Sequence, residues 1–319
     1  MARCGRFKVL QGCERLDILQ FILMQIRVKS VFRLLKEAFT EWQEDKVSLL
    51  AAALAYYTVF SITPLLVIAI AIAGSVFGQS TAKAEILEQI NGLVGEQGAN
   101  AIEVALANAN QPEISSIASV ISVVVLLIGA SGVFAQLQEA LNTVWDVKAK
   151  PDGGIWNFIR KRLLSFGMVL AIGFLLLVSL VLSAVLSGIG KLEINLLPGF
   201  TPIWQLFNFA ISFGFISLLF ALIYYYLPDV KILWKDVWIG AIITALLFTI
   251  GKFAIGLYLG RGSFGSAYGA AGSLIVFLAW VFYSAQILLF GAEFTQVYAR
   301  KRGRSIRPNS HAVTSKNFK

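Results

Sequence analysis

Long stretches without charge alternate along this chain with short stretches dense in it. The uncharged runs are Val47–Ala82, Ile114–Gln138, Leu163–Gly190, Ile194–Pro228, Val237–Gly251 (continuing past Lys252) and Gly262–Ala292. A helix needs roughly 20 mostly apolar residues to cross a hydrocarbon core, and these runs supply that length repeatedly. A buried helix of a soluble domain would be shorter and would keep a polar face. The pattern predicts an all-α polytopic membrane protein with six transmembrane helices.

The flanking segments have their own periods. Val31, Phe32, Leu35, Ala38, Phe39 and Trp42 recur at helical spacing, with Arg33, Lys36, Glu37, Glu41 and Glu44 between them. Such an amphipathic helix either lies in the membrane interface or packs on the protein's own cytoplasmic face. Between the first two spans, Ile86, Ile90, Leu93 and Val94 form one stripe and Ile102, Ala105 and Leu106 another, parted by Gly95, Gln97 and Gly98. Two short amphipathic helices capping the outer face are expected there. Pro151 with Gly153–Gly154, and Pro198–Gly199 with Pro202, interrupt the later connections. Three regions result: a cytoplasmic tail over 1–46, a membrane domain over 47–298 with an outer helical loop at 79–113, and a basic cytoplasmic tail over 299–319.

Charge supplies the orientation. Only 14% of residues are charged and the mean hydropathy is +0.75, against about 25% charged in soluble domains. Of the 27 basic residues, 23 fall in the two tails and in the connections after the second and fourth spans. The alternate connections hold only Lys83, Lys191 and Arg261, and the outer loop is acidic. Basic residues collect on the cytoplasmic side, so both termini are expected there. The formal charge of +9 then reflects topology and attraction to anionic lipid. Membrane lipids are the expected partners. Nucleic acid is not, because no folded basic domain exists to bind it. Cys4 and Cys13 sit in the cytoplasmic tail, where thiols stay reduced. The apolar stretch Leu16–Ile26 is interrupted by Asp17, Gln20 and Gln25, and no cleavage site follows it. Translation from Met1 or from Met24 fits equally well.

Polar residues inside the spans are the candidate functional groups. Tyr57, Ser61 and Pro64 share one helix face, and the proline removes a backbone hydrogen bond to the carbonyl of Phe60. A kinked helix with its polar side turned inward is expected, since the freed carbonyl needs a partner. In the last span Tyr283, Gln286, Phe290 and Glu293 follow helical spacing. Glu293 either pairs with Arg300 or another base, or serves transport. Lys252 either snorkels outward or reaches an internal cavity, on a face away from Glu293. Gly74–Gly78, Gly256–Gly260 and Gly265–Gly269, with Gly129 and Gly132, have the small-residue spacing that lets helices approach closely.

Several chemistries lack their residues. His311 is the sole histidine and lies in the tail, so no three-ligand zinc site can form in the membrane domain. No GxxxxGK[ST] loop is present, and a serine nucleophile would lack its base. No cofactor, metal or enzymatic activity is expected. A carboxylate- or lysine-based reaction is the one enzymatic alternative.

The stretches AAALAYYTVFSITPLL, LQEALNTVWDV, YYYLPDVKILWKDVWIGAIITALLF and GKFAIGLYLGRGSFGSAYGAAGSLIVFLAWVFYSAQILLFGAEF resemble the YihY/BrkB family of bacterial inner-membrane proteins. The likeness runs from Trp42 to Ala299. Its most distinctive points are Ala55–Tyr57 with Pro64, Leu227–Pro228, Lys252 with Leu257–Tyr258, Tyr268–Gly269 and Gly291–Glu293. The older family label, ribonuclease BN, does not fit a chain without hydrolase histidines. The resemblance implies a cell-envelope protein with a suspected transport role. Together with the polar faces it leads us to expect a transporter or lipid-handling protein with an amphipathic or lipid-like substrate. A non-transporting scaffold or assembly factor is the alternative.

Overall fold

The computed structural model describes residues 32–109, 132–150, 167, 201–261, 272–304, 306–309 and 312–315. In chain order they form α1 (32–44), α2 (Val47–Phe77), α3 (Gln79–Ala109), α4 (132–144), β1 (Val147–Ala149), α5 (Thr201–Tyr226), β2 (Val230–Lys231), α6 (Trp234–Arg261), α7 (Gly272–Lys301), β3 (Arg307–Pro308) and β4 (Ala312–Thr314). Among the described residues, four helices are long and apolar enough to cross a bilayer: α2, α5, α6 and α7. The runs Ile114–Gln138 and Leu163–Gly190 lie mostly outside the described residues, as do Cys4, Cys13, Met24, Gly129, Gly265 and Gly269.

Small side chains line many of the helix contacts, and large ones face both inward and outward. Ala51, Ala55, Ala69 and Ala73 on α2, Ala241 and Ala245 on α6, and Ala285 and Ala292 on α7 are buried. Tyr56, Phe60, Leu246, Ile250 and Phe253 are exposed. Lipid is as apolar as leucine, so large side chains gain nothing by turning inward, whereas small ones let helices touch. Helix α7 is central, packing on α2, α3 and α6, and α5 packs on α6.

Helix α2 runs through Pro64 without interruption. The proline removes one hydrogen bond, and the helix continues on both sides of it. Gly74 and Gly78 differ from expectation. Gly78 caps α2 at φ 87° with its N–H on the carbonyl of Gly74, and a Cβ on Gly74 would meet Gln79. The pair makes the tight turn into α3, and a left-handed φ at the cap is why glycine is needed. Helix α3 is two helical pieces joined at Gly95, at φ 78°. Its stripe residues Ile86, Ile102 and Leu106 pack on Ala69, Ala73 and Phe277.

One face of α1 lies on the last turns of α7, through Ala38 against Phe294 and Val297. Phe32 and Phe39, on its other face, are exposed. Arg300 pairs with Glu37 and Glu41, and Lys301 with Glu37. Arg300 is therefore not the partner of Glu293. It reaches outward to α1, while Glu293 stays buried beneath.

The residues after α7 fold back rather than trailing away. β4 pairs antiparallel with β1, and β3 with β2. The two ribbons tie the connections after α4 and α5 to the C-terminal segment. We call this the basic end, because Arg300, Lys301, Arg302, Arg304 and Arg307 gather there.

Candidate functional site

Two polar assemblies occupy the basic end. The first is a lock between α4 and the turn after α5. Asn142 donates from Nδ2 to Asp229 Oδ2 at 3.0 Å and accepts the Asp229 backbone N–H at 2.8 Å. Gln138, one turn earlier on α4, donates to Asp229 Oδ1 at 3.4 Å. The Asp229 carbonyl in turn accepts from Asn309 N–H at 2.9 Å, which extends the lock to the C-terminal segment. Nearby, Asp236 in the first turn of α6 is held by Arg304.

The second assembly surrounds Glu293. Helix α1 ends at Glu44 and turns through Asp45 and Lys46, the latter at φ 51°, and α4 ends at Val144 and turns through Trp145 and Asp146, the latter at φ 54°. A left-handed conformation outside glycine is disfavoured by about 1–2 kcal/mol and persists only where the surroundings fix it. These two turns bring Asp45 and Asp146 to the same place on α7, where Glu293 is wholly buried. Neither oxygen of Glu293 accepts a hydrogen bond. Gln296, next on the same face, donates from Nε2 to Asp146 at 3.3 Å, and its Oε1 has no donor. Trp145 Nε1 is also buried without a partner.

Burial, with the charges of Asp146 and Glu41, pushes the Asp45 carboxyl up from 3.8 to about 6; Glu44 adds to this, and the adjoining Glu293 carboxyl acts the other way. A raised carboxyl binds its proton more tightly folded than unfolded. The associated stability is present below the unfolded value of 3.8 and is lost as pH rises through about 6. The detergent-solubilised protein is thus expected to melt higher at about pH 5 than at about pH 7.5, and Asp45→Asn is expected to flatten that difference. A pH-independent midpoint in the parent protein would contradict it.

The sequence-derived candidates among the described residues lie on α2, α6 and α7. Tyr57 is exposed and Ser61 buried, and both lie against Gly132 at the start of α4. Pro64, Lys252, Tyr283 and Gln286 are half-buried. Tyr283 lies over Gly251, where a Cβ would come within 2.5 Å of its hydroxyl. Lys252 and Glu293 form no ion pair, since Glu293 has no partner. Gly256 and Gly260 lie on the last turns of α6. Two clefts on the described residues lie elsewhere. One of about 340 Å³ is between the halves of α3, lined by Glu88, Glu96 and Glu103, and one of about 500 Å³ is beside Trp42 and Lys46.

Sequence reasoning found Glu293 and missed Asp45, Asp146, Asn142, Asp229 and Gln296. It also missed a polar seam deeper in the bundle. Tyr224 donates to the carbonyl of Leu288 at 2.6 Å and lies 2.9 Å from Thr244 Oγ1. Thr244 and Thr295 bond the carbonyls of Gly240 and Gly291 on their own helices. The usable signal was an asparagine, a tryptophan and an aspartate clustered at the end of one apolar run, in LNTVWDV.

A family model described as "Virulence factor BrkB" matches residues 38–315. The chain is similar to curated proteins named UPF0761 membrane protein. One, from Verminephrobacter eiseniae, is 27% identical over 306 residues, covering 91% of this chain and 67% of the relative. Another, from Teredinibacter turnerae, is 27% identical over 272 residues, covering 83% of this chain and 60% of the relative. A third, from Mannheimia succiniciproducens, is 27% identical over 274 residues, covering 83% of this chain and 88% of the relative. The chain thus spans about three-fifths to two-thirds of the length of the first two. No solved structure matches.

Proposed function

Since the chain belongs to the virulence factor BrkB family of integral membrane proteins, we propose that it is a transporter of the bacterial inner membrane. Its substrate would be amphipathic or lipid-like, and its six helices would have both ends in the cytoplasm, which makes the basic end the cytoplasmic one. One observation carries this reading: a glutamate in a membrane-crossing helix, wholly buried and without a hydrogen-bond partner. Ionisable groups inside membrane helices are costly, and they are retained where they handle ions or substrate. The abundance of exposed aromatic and aliphatic side chains, with few charges in the spans, favours an amphipathic solute over a small ion.

Access from water tests the reading. Single cysteines at Tyr57, Ser61, Lys252 and Gln286, in a chain lacking Cys4 and Cys13, are treated with a membrane-impermeant thiol reagent. Labelling of several positions from one side is the expected result. If all four stay inert while loop controls react, the transport reading loses its basis. Purified protein in liposomes, assayed for scrambling of a labelled phospholipid and for solute uptake, then identifies the substrate class.

A scaffold reading has its own support. The Tyr224 seam is sealed side chain to backbone, as polar groups that only join helices would be.

A further inference from the structure

We propose that Asp45 and Glu293 form a proton-binding site in which one proton is held between the two carboxyl groups and passed from water through Asp45 to Glu293. The inference rests on the transport reading only for its role, since the proton would then be the coupling ion. The site itself is argued from local chemistry.

The centre has too many acceptors. Both oxygens of Glu293 and the Oε1 of Gln296 are buried without a donor, and the Gln296 amide donates to Asp146 and not to Glu293. Carboxylates and amide carbonyls accept only, so none of these groups can satisfy another. The neighbouring bases are engaged elsewhere: Arg300 with Glu37 and Glu41, Lys301 with Glu37, and Arg304 with Asp236. The charged groups acting on Glu293 are acidic: Asp45 from the α1–α2 turn, Glu41 from α1 and Asp146 from the end of α4. A buried anion among three others is strongly disfavoured, and two adjoining carboxyl groups do not both ionise. A proton supplies the missing donor, turning the Asp45–Glu293 contact into a hydrogen bond. Among the described residues no group of three histidine, cysteine, aspartate or glutamate side chains has the geometry to hold a metal, so the proton is the cation that fits.

Burial gives the route. Asp45 is half-buried and reaches solvent, whereas Glu293 does not. Asp45 also titrates near 6, a value at which it exchanges protons readily with neutral water. The transfer balances without any other reactant: protonated Asp45 and ionised Glu293 become ionised Asp45 and protonated Glu293. Because the two groups share the proton, the pair titrates in two macroscopic steps.

The test is an infrared pH titration of the carbonyl stretch of protonated carboxyl groups, on the full chain in lipid nanodiscs. The parent protein is expected to release protons in two coupled steps, reduced to one in Glu293→Gln and in Asp45→Asn, and unchanged in Glu88→Gln, which lies on α3. Asp45→Asn, at a partly exposed position, keeps the test open if Glu293→Gln does not fold. A titration that neither variant alters, or a signal that follows sodium concentration and not pH, overturns the proposal. The same variants in liposomes under a pH gradient separate the two readings. A coupled titration without flux of any solute leaves the proton site standing and removes the transporter. Flux that Glu293→Gln leaves intact overturns the coupling role of the proton and leaves the transporter standing.

Discussion

Gly291→Ala is expected to remove most of the folded protein. A Cβ at this position would lie 2.5 Å from the Tyr224 hydroxyl and 2.9 Å from Thr244 Cβ, closer still to Thr244 Oγ1. None of these atoms is the free end of a flexible chain. Thr244 is pinned to the Gly240 carbonyl, and Tyr224 to that of Leu288. The mutant must therefore push α6 and α7 apart, and Gly240, which receives Thr295 in the same way, loses its fit with them. Overpacking in a tight core usually costs about 1–3 kcal/mol, and two rigid helices place this case at about 3. Thermal unfolding in detergent, followed by size-exclusion chromatography of a fluorescent fusion, measures it. Adding Thr244→Gly should recover part of the loss by clearing the space. A Gly291→Ala protein that melts with the parent would show that the seam is looser than described.

The second large effect belongs to Asn142. Its side chain both donates to the Asp229 carboxylate and accepts the Asp229 N–H, and Asp229 is buried. Asn142→Ala removes both bonds from a buried anion, a loss of about 3 kcal/mol for charge-assisted bonds left unmade. Because Asp229 also holds Asn309, the C-terminal segment should loosen as well. Trypsin is then expected to cut after Arg302 and Arg304 faster than in the parent, before global unfolding. Asn142→Asp sets a second carboxyl group against Asp229 and should be worse at neutral pH, recovering in acid. Equal proteolysis of parent and Asn142→Ala would refute the linkage.

These two sites show where the sequence was legible and where it was not. The uncharged runs identified α2, α5, α6 and α7 because membrane length is a one-dimensional property of composition. Glu293 stood out for the same reason, as a charge in an apolar run. Asp45 did not, because its meaning depends on α1 and α2 placing it against a helix more than two hundred residues later; helical periodicity reports only neighbours three or four apart. The three tyrosines at the end of α5 make the point within one tripeptide. Tyr224 is buried in the seam, Tyr225 stacks on Trp234 at 4.3 Å between ring centres, and Tyr226 is exposed. Nothing in their order distinguishes them. The C-terminal ribbons were missed because strands of two or three residues have no period to detect. Gly78 was read as a packing position, whereas at φ 87° it caps α2 and makes the turn into α3.

The ribbons and the Asp229 lock have a mechanical consequence. Every clasp they provide lies at a single extremity of the molecule, so the described rods resemble a sheaf bound at its base. Toward Gly78 the same rods are held differently, by the apolar packing of α3 on α2 and α7.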